Sequence, residues 1–149
     1  SPIIGNNPPE AWNDYRNYYP GDDYVDWVGI VGYNFGASSP YTSYRWATFD
    51  MLYSTMLSEL AAEHPGKQVM LADYGSVEDD GGDKAEWIRD AFQKAKEHEN
   101  LRAMVWFNYQ EENTPWPTGF RVETSEDSIA AYQQAISDPY FIDYLPATP

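Results

Sequence analysis

The sequence predicts an α/β fold of three consecutive β/α units around a parallel sheet. Short apolar runs recur at 24–31, 68–72 and 103–107. Each leads through a loop into a stretch whose apolar residues are spaced by three and four, the period of an amphipathic helix. Strands alternating with helices of this length join as right-handed parallel crossovers.

The whole chain, 1–149, reads as a single segment without an internal linker, and 1–23 as an irregular lead-in rich in Asn, Pro, Asp and Tyr. The first unit, 24–63, opens on Tyr24-Val25-Asp26-Trp27-Val28-Gly29-Ile30-Val31. Its lack of strict alternation is the pattern of a strand buried on both faces. A loop from Gly32 to about Tyr44 precedes a helix over 46–63, with Phe49, Leu52, Met56 and Leu60 on one side and Pro65-Gly66 ending it. The second unit, 67–98, has the strand Gln68-Val69-Met70-Leu71-Ala72 and then a helix capped by Asp83, with Glu86 three residues on. Ala85, Ile88, Ala91, Phe92 and Ala95 are its inward face. The third, 101–137, has the strand Ala103-Met104-Val105-Trp106-Phe107 and a long aromatic and acidic loop to about Thr124. Its helix starts near Ser125, where Glu126 and Asp127 suit the positive end of the dipole. Ile129, Tyr132 and Ile136 are expected to face inward, and Asp138-Pro139 stops the helix.

Composition narrows the function classes. The net charge of −15 disfavours nucleic acid and anionic membrane surfaces as partners. No run reaches the roughly 18 apolar residues of a membrane span. The chain lacks Cys, which excludes disulfides and thiolate chemistry. It opens on Ser1-Pro2 without an initiator Met or a signal peptide, so an upstream part is expected to have been removed or never included. Aromatics make up 17% of the chain, with six Trp and thirteen Tyr. Such rings stack on the apolar faces of sugars while their polar rims bond hydroxyls, and they equally fill cores.

In β/α proteins the chemistry gathers at the C-terminal ends of the strands. Here those ends carry Tyr33 and Asn34, then Asp73 and Tyr74, then Trp106, Asn108 and Tyr109. A carboxylate amid rings and amides suits sugar chemistry, where it stabilises an oxocarbenium-like centre. Each position also has a plain reading: Asp73 capping the next turn, Trp106 packing, Tyr33 bonding a backbone carbonyl. Agreement at three successive strand ends favours a site. The Glu78-Asp79-Asp80 and Asp83 cluster lacks the spacing of a Ca²⁺ loop and reads as a solvated acidic loop. His64 and His98 read as isolated surface residues, so neither metal nor cofactor is expected.

Tyr18-Tyr19-Pro20-Gly21-Asp22-Asp23-Tyr24-Val25-Asp26-Trp27-Val28-Gly29-Ile30 resembles the segment entering the sixth strand of glycoside hydrolase family 26, which contains β-mannanases and β-glucanases. Val69-Met70-Leu71-Ala72-Asp73-Tyr74-Gly75-Ser76 resembles the seventh strand, Gly81-Gly82-Asp83-Lys84-Ala85-Glu86-Trp87-Ile88 the helix after it, and Val105-Trp106-Phe107-Asn108 the eighth strand. The resemblance implies strands 6–8 of a (β/α)₈ barrel, incomplete in this chain, from a secreted retaining hydrolase of β-linked polysaccharide. It implies Asp73 at the nucleophile position, Tyr33 orienting it and Trp106 stacking on the sugar. Trp46, Tyr74, Asn108, Tyr109 and Trp116 are further candidates for substrate contacts.

Two departures matter. The family's nucleophile is Glu, and the matching residue is Asp73. The family's acid/base Glu lies on a strand this chain does not include. The chain alone is therefore expected to be inactive, and to pair with the missing barrel half or with itself through its sheet edges. The alternative is a non-catalytic carbohydrate-binding or self-assembling protein of the same ancestry.

Overall fold

The structure, a computed structural model, describes residues 10–37, 46–78, 81–110 and 119–142. Three parallel strands, β1 (Trp27–Asn34), β2 (Gln68–Ser76) and β3 (Leu101–Trp106), lie in the order β1-β2-β3. They alternate with α1 (Thr55–Glu63), α2 (Lys84–Ala95) and α3 (Glu126–Ile136). The lead-in, where described, forms short 3₁₀ turns, the last over Asp22–Tyr24, so β1 begins later than its apolar run suggested. Among the described residues no helix is long and apolar enough to cross a membrane.

The helices cover one face of the sheet. Successive right-handed crossovers that advance in one direction leave every helix on the same side. Phe49, Leu57, Val69, Leu71, Ile88 and Ala91 are fully buried in that core. Each large aliphatic residue among them is worth roughly 1.5–3 kcal/mol relative to exposure. Burial on both faces is not what β1 shows. Its residues alternate, with Trp27 and Val31 43% and 59% exposed on the side away from the helices.

On α2 the Asp83 cap and the inward face are found, whereas among the described residues the Glu86 side chain makes no return bond to the cap. Asp83 caps the helix by accepting from the Glu86 amide at 2.8 Å, and all five predicted inward residues are buried. The first helix starts as a π-helical turn over Asp50–Ser54, from which Tyr53 reaches back to donate its hydroxyl to the Gly32 carbonyl. A Cβ on Gly32 would lie 2.8 Å from the Tyr53 ring, so glycine is what admits this contact. On α3, Tyr132 packs against the core as expected, but Ile136 does not. Ser128 and Ala131 are buried, whereas Ile136 is 43% exposed. At the start of α3, Ser125 and Ser128 form a capping box, and the Ser128 hydroxyl donates to the Val122 carbonyl at 2.7 Å.

The lead-in is tied to the far end of α1 by polar contacts. Arg16 reaches Asp14, Glu59 and Glu63, and the Tyr15 hydroxyl donates to Glu63 at 2.8 Å. His64 meets Asp22 at 2.8 Å beneath the Tyr19 ring, so it is a tethered residue, not an isolated one.

Candidate active site

The site is set by the pairing of β1 with β2. Ile30 pairs with Leu71, but Val31 pairs with Asp73, leaving Ala72 as the extra residue of a bulge. Side chains alternate along a strand, so a one-residue slip changes which face every later residue occupies. Leu71 faces the helices, and an unbroken strand would send Asp73 the same way. The bulge instead brings Asp73 to the face of its partner Val31, where Tyr33 also lies.

Burial is the largest influence on the Tyr33 hydroxyl and raises its pKa above the ordinary 10.0; the Asp73 charge raises it further. The two groups are thus coupled through space. Among the described residues no hydrogen bond joins the Tyr33 hydroxyl to the Asp73 carboxylate, and none ties Asp73 to the following loop or Tyr33 to a carbonyl. Around Tyr33 stand Phe35, Phe107 and Phe120, with ring centroids at 5.6, 5.3 and 5.2 Å. A carboxylate on the same face as such a cluster of rings can stabilise positive charge on a bound sugar, while the rings offer its apolar faces a surface.

The other named residues divide between packing and surface. Trp106 lies on the helix side with its partner Tyr74, its ring 5.1, 6.1 and 5.7 Å from those of Tyr74, Trp87 and Tyr132. Its indole N–H donates to the Phe120 carbonyl at 2.7 Å. Tyr74 is fully buried there, which drives its pKa well above the ordinary value. Trp46 lies over Gly82 so closely that a Cβ on that glycine would sit 2.4 Å from the indole. Asn108 accepts from the Val122 amide at 2.7 Å, and Tyr109 is 52% exposed beside Phe107. Trp116 lies outside the described residues. The structure therefore places Tyr33 and Asp73 on one face, near enough for the Asp73 charge to act on the Tyr33 hydroxyl, and it keeps Trp106 and Tyr74 across the sheet from them.

Phe107 has the parity of the open face, and Phe120 comes from the long third loop; no periodic signal marks either. Asn34 turns out to be a brace. It is buried, donates to Ser76 at 2.9 Å, and accepts from the Gly36 and Ala47 amides at 3.2 and 3.0 Å. Glu78 is not merely solvated, since Thr124 and Ser125 donate to it at 2.7 and 3.0 Å. A cavity of about 450 Å³ lies at the opposite end of the sheet, bordered by Leu57, His64, Lys67, His98 and Arg102, and contains none of the predicted residues.

Fold and site define a β/α protein with an acidic, aromatic centre at its strand ends. No family model matches the chain. Over 123 residues it is 37% identical to endoglucanase H of Acetivibrio thermocellus, an alignment covering 82% of this chain and 13% of that protein. The chain is thus similar to a segment of that endoglucanase and spans a small part of its length. Among solved structures it is similar to a β-glucosidase from Exiguobacterium marinum, with a TM-score of 0.48 and 14% identity over 84% of this chain and 37% of that one.

Proposed function

We propose that this chain is the strand 6–8 portion of a secreted (β/α)₈ glycoside hydrolase of the family 26 type, acting on β-linked glucan. The observation that carries the reading is the 37% identity to endoglucanase H. The Asp73–Tyr33 pair, turned to the open face by the β2 bulge, supports it. Asp73 occupies the nucleophile position and Tyr33 orients it. The second carboxylate comes from elsewhere in the barrel, because double displacement needs two groups about 5–5.5 Å apart. Asp is one methylene shorter than Glu and withdraws the carboxylate by about 1–1.5 Å, which weakens attack.

The test is reducing-sugar release from barley β-glucan, lichenan and mannan. The chain alone is expected to release none at enzymatic rates. Joined to a barrel half carrying the acid/base Glu, it is expected to cleave glucan slowly, and faster with Asp73→Glu. No turnover from Asp73→Glu in that complete barrel would overturn the reading.

A second reading is a binding or self-assembling module. The exposed apolar face at Trp27, Val31 and Val105 favours it. Analytical ultracentrifugation distinguishes the two. If the chain dimerises, and Val31→Lys with Val105→Lys abolishes dimers but leaves cellotetraose binding intact, the module reading stands.

A further inference from the structure

We propose that Lys84 is a positioning residue for the candidate site: its ammonium fixes residues 119–124, which lead into α3, and so holds Phe120 against Tyr33 as the wall of the aromatic patch. Only what the patch receives rests on the functional reading above; the positioning does not.

Lys84 is the first residue of α2, and its side chain has no exposed surface. Both facts are unfavourable for a cation. Burial strips its hydration, and the helix N-terminus carries partial positive charge. A methionine would fill similar space at lower cost. What the lysine supplies is three donors, and the loop meets all of them. Its Nζ donates to the Arg121 carbonyl at 2.7 Å, the Thr124 hydroxyl at 2.8 Å and the Gly119 carbonyl at 3.3 Å. The Thr124 hydroxyl in turn donates a hydrogen bond to Glu78, which closes the grip from the other side.

Phe120 lies within the gripped stretch and is 4% exposed. Trp106 on β3 holds its carbonyl, and its ring passes within 3.3 Å of where a Gly75 Cβ would stand on β2. Lysine, tryptophan and glycine from three elements thus converge on one phenylalanine, whose other face meets Tyr33, Phe35 and Phe107. The charged groups facing Lys84 are Glu78 and Glu123, and the Trp106 ring stands 5.8 Å away.

The experiment follows two indole N–H groups by NMR exchange. Trp106 reports the loop, and Trp87, which donates to the Ala47 carbonyl at 2.8 Å, reports the core. In Lys84→Met, Trp106 exchange is expected to accelerate at least tenfold and the cellotetraose dissociation constant to rise at least fivefold, with Trp87 unchanged. Unaltered Trp106 exchange overturns the proposal, as does accelerated exchange with unaltered affinity. Should Lys84→Met not fold, Thr124→Val decides on the same two readouts with smaller expected changes. If the unmodified chain alone does not bind cellotetraose, the module reading fails, the affinity of the completed barrel is compared instead, and the exchange result still decides whether Lys84 holds the loop.

Discussion

Val31 on β1 pairs with Asp73 on β2, one residue beyond the partner that the Ile30–Leu71 pair would assign it. This slip decides that a carboxylate faces the open side of the sheet instead of the helices. It also explains why an acidic residue can stand within a strand of buried neighbours without an ion pair among the described residues.

Tyr33 titration tests that coupling. Burial is the first cause of its raised pKa and the Asp73 charge the second. Asp73→Asn removes only the second. The Tyr33 pKa is expected to fall and yet remain above 10.0, followed by ¹³C NMR of labelled tyrosine. No change in Tyr33 would mean that Asp73 points elsewhere.

Two isoleucines on predicted inward faces should differ sharply. Ile88 is fully buried in α2, and Ile136 is 43% exposed in α3. Ile88→Ala is expected to cost about 2–5 kcal/mol in urea denaturation, and Ile136→Ala about 0.5 kcal/mol or less. Equal losses would restore the inward placement of Ile136.

How much of this was legible in the sequence follows from these residues. The α2 face and its Asp83 cap were plain, because a 3.6-residue period and a capping pair are local signals. The extent of β2 was not: Asp73-Tyr74-Gly75-Ser76 has the composition of a turn, and only hydrogen bonds to neighbouring strands make it extended. Trp106 and Phe107 are adjacent, so choosing between them needs strand parity, which a bulge resets. Lys84 looks like an ordinary polar residue at a helix start. Its burial comes from a loop more than thirty positions later in the chain, as its bond to Arg121 shows.

Lys84 also sets an alkaline signature. Burial lowers its pKa from 10.5 to about 8, against the opposing pull of Glu78 and Glu123. The unfolded chain therefore holds the proton that the folded one releases between those values. Stability relative to Lys84→Met is expected to be flat below pH 8 and to rise from about 8 towards 10.5, by up to ~1.4 kcal/mol per unit. Denaturant curves of both proteins across this range check it; a falling difference would contradict the burial.

The lead-in should respond to acid. Bonds from Arg16 first, then Tyr15, hold the Glu63 pKa down from 4.5 to about 2. A depressed carboxylate pKa stabilises the fold above the unfolded value and loses that contribution as pH falls through the folded one. The Arg16 Nε proton, bonded to Glu63 at 2.8 Å, is expected to stay protected at pH 4 and to lose protection near pH 2. In Glu63→Gln this acid transition should vanish.

Asn34 has a consequence for motion. Its carboxamide holds the Gly36 and Ala47 amides and the Ser76 hydroxyl, and its main-chain carbonyl holds the Val77 amide. The described ends of the two crossovers, at Gly36 and Ala47 on one side and Ser76 and Val77 on the other, therefore share Asn34 as a common anchor, and unseating it releases both. Opening at the top of this sheet becomes a collective event with one activation barrier, in which amides far apart in sequence exchange as one population.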